Sequence, residues 1–388
     1  MTNNAGLGAA PRPARRGRRV VRLGLRVAEV ALVGLLIMAF TAAYVPPDTL
    51  WWGQFVAIFS GLLLAIVAVV AAIAAVKRQW RRAALHASLL TGALLMPALS
   101  ARPDPVPAPP DAPGLTVMTF NASVRHAGSE QDALAALLAR DKPHLIALQE
   151  FSIRLIRETG VTMGAPLLGP LLKDRAYEAS WPDTEGKDYL FSRPIFSRIQ
   201  AQEQGEVLAG DPPTGPRSGG LWSSGGITRR LYRWDGRTIA LYNVHLHSFS
   251  SHRPWREADE RFSLRAWADA LQDYRRDFEV RAEQARVLRR LLDEEAHPFI
   301  VCGDFNSTPR SWVYAYLQQG LRDAFREAGS GWGATFPARL PLIRIDYLLV
   351  SDAWSVRRAY VDTGLASDHR PVIAELVLRT EPEPTANR

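Results

Sequence analysis

The sequence has a single cysteine, Cys302, in 388 residues. That excludes an intramolecular disulfide and any metal site built on paired thiolates. Cys302 lies in the apolar run 298–303 and reads as a small buried hydrophobe. Acid is scarce at the front of the chain. The first 100 residues hold two of the 39 Asp/Glu, Glu29 and Asp48, but 11 of the 47 Lys/Arg. This leaves 37 acidic and 36 basic residues for the rest. The body therefore lacks the basic excess that marks a nucleic-acid surface. The sequence pI of about 9.9 comes from the N-terminal segment instead. No internal repeat is visible.

Long apolar runs are present at the front. The first covers 27–44. The second, 55–76, contains no charge. The third, 83–100, carries His86 and at ~1.5 Å per residue only just reaches across a ~30 Å hydrocarbon core. The pattern predicts about three transmembrane helices over 27–100, behind a basic cytoplasmic N-terminus over 1–26. Seven arginines precede Val27, and Lys77, Arg78, Arg81 and Arg82 form a second basic cluster. The positive-inside rule puts both in the cytoplasm. The loop 45–53, with Trp51 and Trp52 as interfacial anchors, then faces outward. With three crossings everything after Ser100 is extracytoplasmic; if the third run does not cross, the body is cytoplasmic. The lipid bilayer is thus an expected partner, through the N-terminal helices. Residues 101–114 are nearly half proline, a stiff spacer. A catalytic domain over 115–380 and a disordered tail over 381–388 complete the expected organisation.

From Leu115 onward, strands alternate with helices. Strands are predicted over 115–120, 144–149, 189–191, 227–233, 238–244, 299–302, 345–350 and 372–378. Asp235-Gly236 marks a hairpin turn. A helix is predicted from Ser129, with the capping pattern Ser129-x-x-Asp132 and apolar Leu134, Leu137 and Leu138. A second covers 281–292. Strands outnumber helices and several are joined directly, which favours a two-sheet α/β core. The Gly-, Pro- and Ser-rich stretch 205–226 reads as a long loop. The polar stretch 248–279, with Trp255, Phe262, Trp267 and Tyr274, reads as a solvated helical insertion. The alternative is a lip over the site, its aromatics turned to lipid or substrate.

Polar residues stand at the tips of these apolar runs, where a core strand has no use for them. Burying them is costly unless they pair or bind metal. Asn121 ends one run, Glu150 the next and His245 a third. Asp304 and Asn306 follow 299–302, two apart, and so point the same way in an extended segment. Asp346 and the Asp368-His369 pair come last. Carboxylates and an amide suit a hard divalent ion, Mg2+ or Mn2+, that keeps several waters. Glu150 can supply a carboxylate, and Asn121 an amide for metal or phosphate. Asp304 and Asn306 suit a site that orients water and grips a phosphate oxygen. His245 can stabilise or protonate a departing oxyanion, and His369 can act as a base oriented by Asp346. Singly, each signal is weak: a strand-end Glu is usually solvated, and Gly-Asp-x-Asn is often a turn.

Their order is specific. MTFNAS, LIALQE, FSRPIFS, LYNVHL, RAEQARVLRRLL, VCGDFNSTP, RIDYLLVS and ASDHRPV together resemble the endonuclease/exonuclease/phosphatase superfamily over about 115–378. That superfamily includes pancreatic-type deoxyribonucleases, apurinic-site endonucleases, inositol polyphosphate 5-phosphatases and bacterial neutral sphingomyelinases. GDFNSTP and SDHRPV are the most specific pieces. The resemblance implies a four-layered α/β sandwich, two packed mixed β-sheets flanked by helices. It implies a membrane-anchored metal-dependent phosphoesterase, with Glu150 as principal metal ligand, Asn121 beside it and Asp368 near the metal. Asp304 and Asn306 match the pair that positions water and phosphate, His245 the histidine on the scissile phosphate, and Asp346 and His369 the Asp–His pair. His247 would share the face of His245 and help bind substrate if the strand continued. Nucleic acid, a phospholipid head group and a small phosphodiester are the candidate substrates, and no protein partner is predicted. The competing function is a catalytically inactive, membrane-tethered binding module of the same fold, against which the full set of polar motif residues weighs.

Overall fold

Apolar runs separated by turn residues build two sheets between layers of helix. The computed structural model describes residues 14–99, 111–122, 131–151, 153–156, 160–163, 177–180, 189–191, 193–202, 206–209, 226–249, 253–364 and 367–379. Most of the expected spacer, Ser129, most of the 205–226 loop and the tail 381–388 lie outside these residues.

The N-terminal segment forms α1 (Ala14–Thr41), α2 (Pro47–Ile58), α3 (Ser60–Val76) and α4 (Trp80–Leu99). Here the expectation of about three spans is corrected. Among the described residues one helix, Leu23–Tyr44, is long and apolar enough to cross a membrane. α2 and α3 meet that requirement only as a pair, and the pair is bent by 57°. α3 alone has 17 residues, about 26 Å of helix. In α4, Arg81 and Arg82 leave an uncharged stretch, 83–99, of similar length. Both fall short of a ~30 Å core.

The sandwich region begins with β1 (Leu115–Asn121), α5 (Gln131–Asp141) and β2 (Leu145–Gln149). β3 (Ile153–Ile156), β4 (Gly160–Met163), β5 (Glu178–Ser180), β6 (Tyr189–Phe191), β7 (Ile195–Ser197) and β8 (Glu206–Ala209) are short. The hairpin β9 (Gly226–Trp234) and β10 (Arg237–His245) precedes α6 (Leu264–Asp293) and β11 (Phe299–Asp304). Then come α7 (Trp312–Leu317), β12 (Arg322–Asp323), α8 (Ala324–Ala328), β13 (Asp346–Val350), β14 (Trp354–Val361) and β15 (Val372–Leu378). The Asp235-Gly236 turn has positive φ at both residues, 44° and 76°, as a two-residue hairpin requires.

One six-stranded sheet has the order β14-β15-β1-β2-β7-β5, the other β12-β13-β11-β10-β9-β8. Both are mixed: β1 runs parallel to β2 and antiparallel to β15, and β10 runs parallel to β11 while β9 and β13 are antiparallel. Val117, Leu145 and Ala147 of the first sheet pack on Leu241, Ile300, Cys302 and Leu348 of the second. The opposite face of the first sheet, Met118, Phe120, Ile146 and Leu148, packs on Leu134, Leu137 and Leu138 of α5. The outer face of the second, Tyr242, Val244 and Val301, packs on Ala282, Ala285, Leu288 and Leu292 of α6. Strands covered on both faces read as unbroken apolar runs, which is why the central ones were visible in the sequence. Each buried Leu or Val contributes roughly 1.5–3 kcal/mol. The result is the expected α/β sandwich.

α6 has 30 residues and absorbs the second half of the polar 248–279 stretch into one continuous helix. Ser263 caps it, its hydroxyl accepting from the Ala266 N–H at 3.2 Å. Cys302 is fully buried, and burial pushes its thiol up to about 12.

Candidate active site

The registers bring the polar strand tips to one edge of the sandwich. Parallel pairing of β10 and β11 sets His245 beside Asp304. Antiparallel pairing of β11 and β13 sets Asp304 beside Asp346. Asn121, at the end of β1, reaches from the first sheet to the second. Its Nδ2 donates to Glu150 Oε1 at 3.1 Å and to Asp304 Oδ2 at 3.0 Å.

Three unusual backbone conformations shape this edge. Glu150 has φ +52°, a region L-residues rarely adopt, and its side chain stays 44% exposed. Gly303 has φ +140°, and a Cβ there would lie 1.8 Å from the Val244 carbonyl oxygen. Only glycine lets β11 approach β10 this closely just before Asp304. Asn306 has φ +48°, so the segment after Asp304 is turned rather than extended. The expectation that Asp304 and Asn306 point the same way along a strand is corrected accordingly. The Asn306 N–H donates to Asp304 Oδ1 at 2.8 Å, and its Nδ2 donates to the Leu246 carbonyl at 2.9 Å.

His369 Nδ1 lies 2.9 and 3.2 Å from the two Asp346 oxygens. The Asp346 N–H donates in turn to Thr335 Oγ1 at 3.2 Å. Ser367 Oγ donates to the Asn121 carbonyl at 2.8 Å and accepts from the His369 N–H at 3.1 Å. The Phe336 ring packs 4.9 Å from the imidazole. His369 Nε2 then faces Asp304 Oδ2 at 3.8 Å, and His245 Nε2 faces the same oxygen at 3.8 Å from the other side.

Two further expected residues have contacts of their own. β10 ends at His245, so strand alternation does not extend to His247, whose Nε2 lies 2.8 Å from Asp277 Oδ1 on α6. Asp368 is exposed, its Oδ1 3.3 Å from Ser367 Oγ.

The sequence matches the profile of the Endonuclease/Exonuclease/phosphatase family over residues 118–369. The chain belongs to this family. No curated protein sequence matches it significantly. Among solved structures it is similar to an endonuclease/exonuclease/phosphatase from Beutenbergia cavernae, at 21% identity and TM-score 0.47, over 68% of this chain and 72% of that one. One from Bacteroides vulgatus gives 19% and 0.44, over 69% and 100%. D. rerio TDP2 complexed with single strand DNA product gives 17% and 0.45, over 68% and 98%.

In this endonuclease/exonuclease/phosphatase family member, burial and neighbouring charges together set the ionisation of the site. Burial and the neighbouring Asp346 carboxylate push Asp304 up to about 7. Burial alone would lower His369, but the charges of Asp346 and Asp304 and the hydrogen bond to Asp346 outweigh it and raise the imidazole to about 10. Burial, then the Arg193 charge, pulls His245 down to about 3. The two imidazoles are thus shifted in opposite directions, His369 toward its cationic form and His245 toward its neutral form.

Two buried arginines flank the site and were not singled out in the sequence. Arg193, in FSRPIFS, acts on His245. Arg281 is buried on α6, its Nε donating to the His247 carbonyl at 2.6 Å, and Asp304 is among the charges that support it. The signal for Arg281 was its place on the apolar stripe with Ala285, Leu288 and Leu292.

The donor set fits a hard divalent ion. Asp304, Asp346 and His369 can bring ligand atoms within 4.8 Å of one another, all from buried residues. This is a different grouping from the expected Asn121, Glu150 and Asp368. His245 Nε2 is buried without a hydrogen-bond partner, 3.8 Å from Glu150 and from Asp304. A buried polar atom left so, facing carboxylates across a gap, suits a site completed by a ligand.

Proposed function

We propose that the chain is a membrane-anchored, divalent-metal-dependent phosphoesterase that cleaves a phosphodiester by in-line attack of water. The observation that carries this reading is the convergence of Asn121, Glu150, His245, Asp304, Asp346 and His369, from both sheets, around one gap. Glu150 and Asn121, with Asp368 at the rim, are the residues that would hold Mg2+ or Mn2+. Such an ion supplies Lewis-acid polarisation of a phosphoryl oxygen. Asp304 lies between the two imidazoles, its pKa raised by burial and by Asp346, a placement that suits it to orient the attacking water and take its proton. His369, kept cationic by Asp346, binds a phosphoryl oxygen. Neutral His245 hydrogen-bonds the phosphate from the other side, and Asn306 holds Asp304 in place. A binding module would have no use for the costly buried Asp304–Asp346 pair.

Membrane anchorage rests on Leu23–Tyr44 and the arginines before it. The far end of that helix leads into α2, which packs on the catalytic domain: Arg286 contacts Asp48 at 2.9 Å, and the Trp312 N–H donates to Gln54 Oε1 at 2.9 Å. With one crossing and the arginines before Val27 cytoplasmic, the domain over 115–380, beyond the 101–114 spacer, is extracytoplasmic, and the Lys77–Arg82 cluster lies on that side with it rather than in the cytoplasm. A phospholipid head group or small phosphodiester fits this placement and the near-neutral body better than nucleic acid does.

The test is hydrolysis by the full chain in detergent. Its substrates are DNA, RNA, sphingomyelin, phosphoinositides and bis-p-nitrophenyl phosphate, each with Mg2+, Mn2+ or EDTA, beside Glu150→Ala. Activity abolished by EDTA and by the substitution is expected. A folded chain that turns over none of them refutes the reading.

A further inference from the structure

A cavity of about 470 Å³ opens where the N-terminal helices meet the catalytic domain. Phe40, Gly61 and Leu64 line it from the helices, and Arg310 and Trp332 from the domain. Its lining contains three arginines and no acid. Two of the three are engaged: Arg344 pairs with buried Asp323, and Arg326 donates to Gln318 Oε1 at 3.2 Å. Arg310 is different. Its guanidinium lies 3.7 Å from the centroid of the Phe40 ring, and no carboxylate or hydrogen-bond acceptor among the described residues meets it. Burial acts on it without a compensating anion and lowers its pKa. A half-buried cation with only a ring face beside it lacks a partner that a ligand can supply.

Apart from Ser60, Thr308 and the two engaged arginines, most of the remaining lining is apolar. A Cβ added at Gly61 would lie 4.0 Å from the Trp332 ring, so the glycine keeps the space between the start of α3 and the domain open. Trp332 and Leu342 of the cavity lining are 74% and 59% exposed. Exposed large apolar groups clustered next to a membrane helix suit a lipid boundary rather than water.

We propose that this seam binds one anionic phospholipid of the surrounding bilayer, its phosphate on Arg310 and its acyl chains along Gly61, Leu64 and Trp332. The proposal rests on the membrane anchorage argued above and not on the catalytic reading. Arg310 lies on the loop that leaves β11 after Asp304 and carries Asn306, so the bound lipid also steadies the segment that leads out of the site.

The experiment uses the full chain in detergent, titrated with dioleoylphosphatidylglycerol or dioleoylphosphatidylcholine and read by native mass spectrometry. One retained phosphatidylglycerol per chain is expected, with about tenfold weaker retention of phosphatidylcholine. Arg310→Gln should lose that preference, Arg310→Lys should keep most of it, and Gly61→Leu should weaken retention of both lipids by filling the space. Circular dichroism identifies folded variants, and Gly61→Leu carries the test if Arg310→Gln does not fold. Equal retention of the two lipids by the wild type refutes the site, as does unchanged retention in the folded variants. Carbonate extraction of membranes separates the failures. A chain that stays with the membrane but retains no phosphatidylglycerol refutes the lipid site alone. A chain released into the soluble fraction refutes the anchorage and this inference with it.

Discussion

Replacing Asp346 by Asn probes the center of the proposed chemistry while changing little volume. In the wild type the Asp346 carboxylate holds His369 Nδ1 at 2.9 Å and helps raise the imidazole to about 10. It also raises Asp304 by like-charge repulsion. A hydrogen bond to a charged group is worth about 1.5–3 kcal/mol, and one pKa unit corresponds to about 1.4 kcal/mol. His369 should therefore fall by roughly 1–2 units in Asp346→Asn. A raised imidazole is protonated below its folded pKa, so the basic limb of the activity profile should move to lower pH. Asp304, relieved of its neighbour, should also titrate lower, and the acid limb should follow. The whole bell shifts down, and turnover at its maximum drops by about 10²–10⁴ if proton transfer and charge placement carry the rate. The assay is bis-p-nitrophenyl phosphate hydrolysis with Mg2+ across pH, beside NMR titration of labelled histidine. An unmoved His369 resonance together with a wild-type profile would refute the assigned coupling.

Two other substitutions test the frame around the site. Gly303→Ala puts a methyl group 1.8 Å from the Val244 carbonyl oxygen at φ +140°, so thermal unfolding should show a loss of roughly 2–4 kcal/mol, and an unchanged Tm would contradict the close approach of β10 and β11. Glu295 accepts from Arg229 Nε at 2.8 Å and from the Tyr242 hydroxyl at 2.7 Å; burial pushes its carboxyl up, but these bonds and those from His297 outweigh burial and hold it down to about 2. A depressed carboxyl stabilises the fold above its unfolded pKa of about 4.5, and that contribution is lost as pH falls through about 2. Glu295→Gln should thus cost about 2 kcal/mol at neutral pH, with the gap from wild type closing between those values in denaturant unfolding; a gap constant across that range counts against the pairing.

Much of this arrangement is legible in the sequence because the central strands are apolar on both faces. A polar residue at the tip of such a run stands out, as Asn121, Glu150 and His245 do. β14 escaped because it is an edge strand carrying Arg357 and Arg358. Charge on an edge blocks further pairing and also erases the apolar pattern. The first half of α6 is legible only as a solvated helical insertion within 248–279, because it buries a thin stripe, Ala266, Ala270 and Phe278. The grouping of Asp304 with Asp346 and His369 depends on strand register, which spacing along the chain does not encode. Arg193 and Arg281 read as ordinary basic residues until the sheets and α6 are assembled. The membrane count failed because hydropathy alone does not register a 57° bend between α2 and α3.

The join between the two sheets explains why an uncharged side chain stands at Asn121. Glu150 comes from the first sheet and Asp304 from the second, and both carboxylates accept from the same amide. A lysine there would pair with both acids but would cancel the negative charge that a cation needs. An aspartate would add a third anion beside two others, at a cost of several kcal/mol in a buried site. The amide donates without changing the charge, so it fixes the spacing of the carboxylates and leaves their affinity for a divalent ion intact. Asn121→Asp should therefore raise the Asp304 pKa further and weaken cross-sheet packing, whereas Asn121→Ala should leave the acids ionisable but unheld. Comparing the two variants for Mg2+ binding by calorimetry separates loss of position from loss of charge balance. Equal and full retention of Mg2+ affinity in both would remove Asn121 from the site.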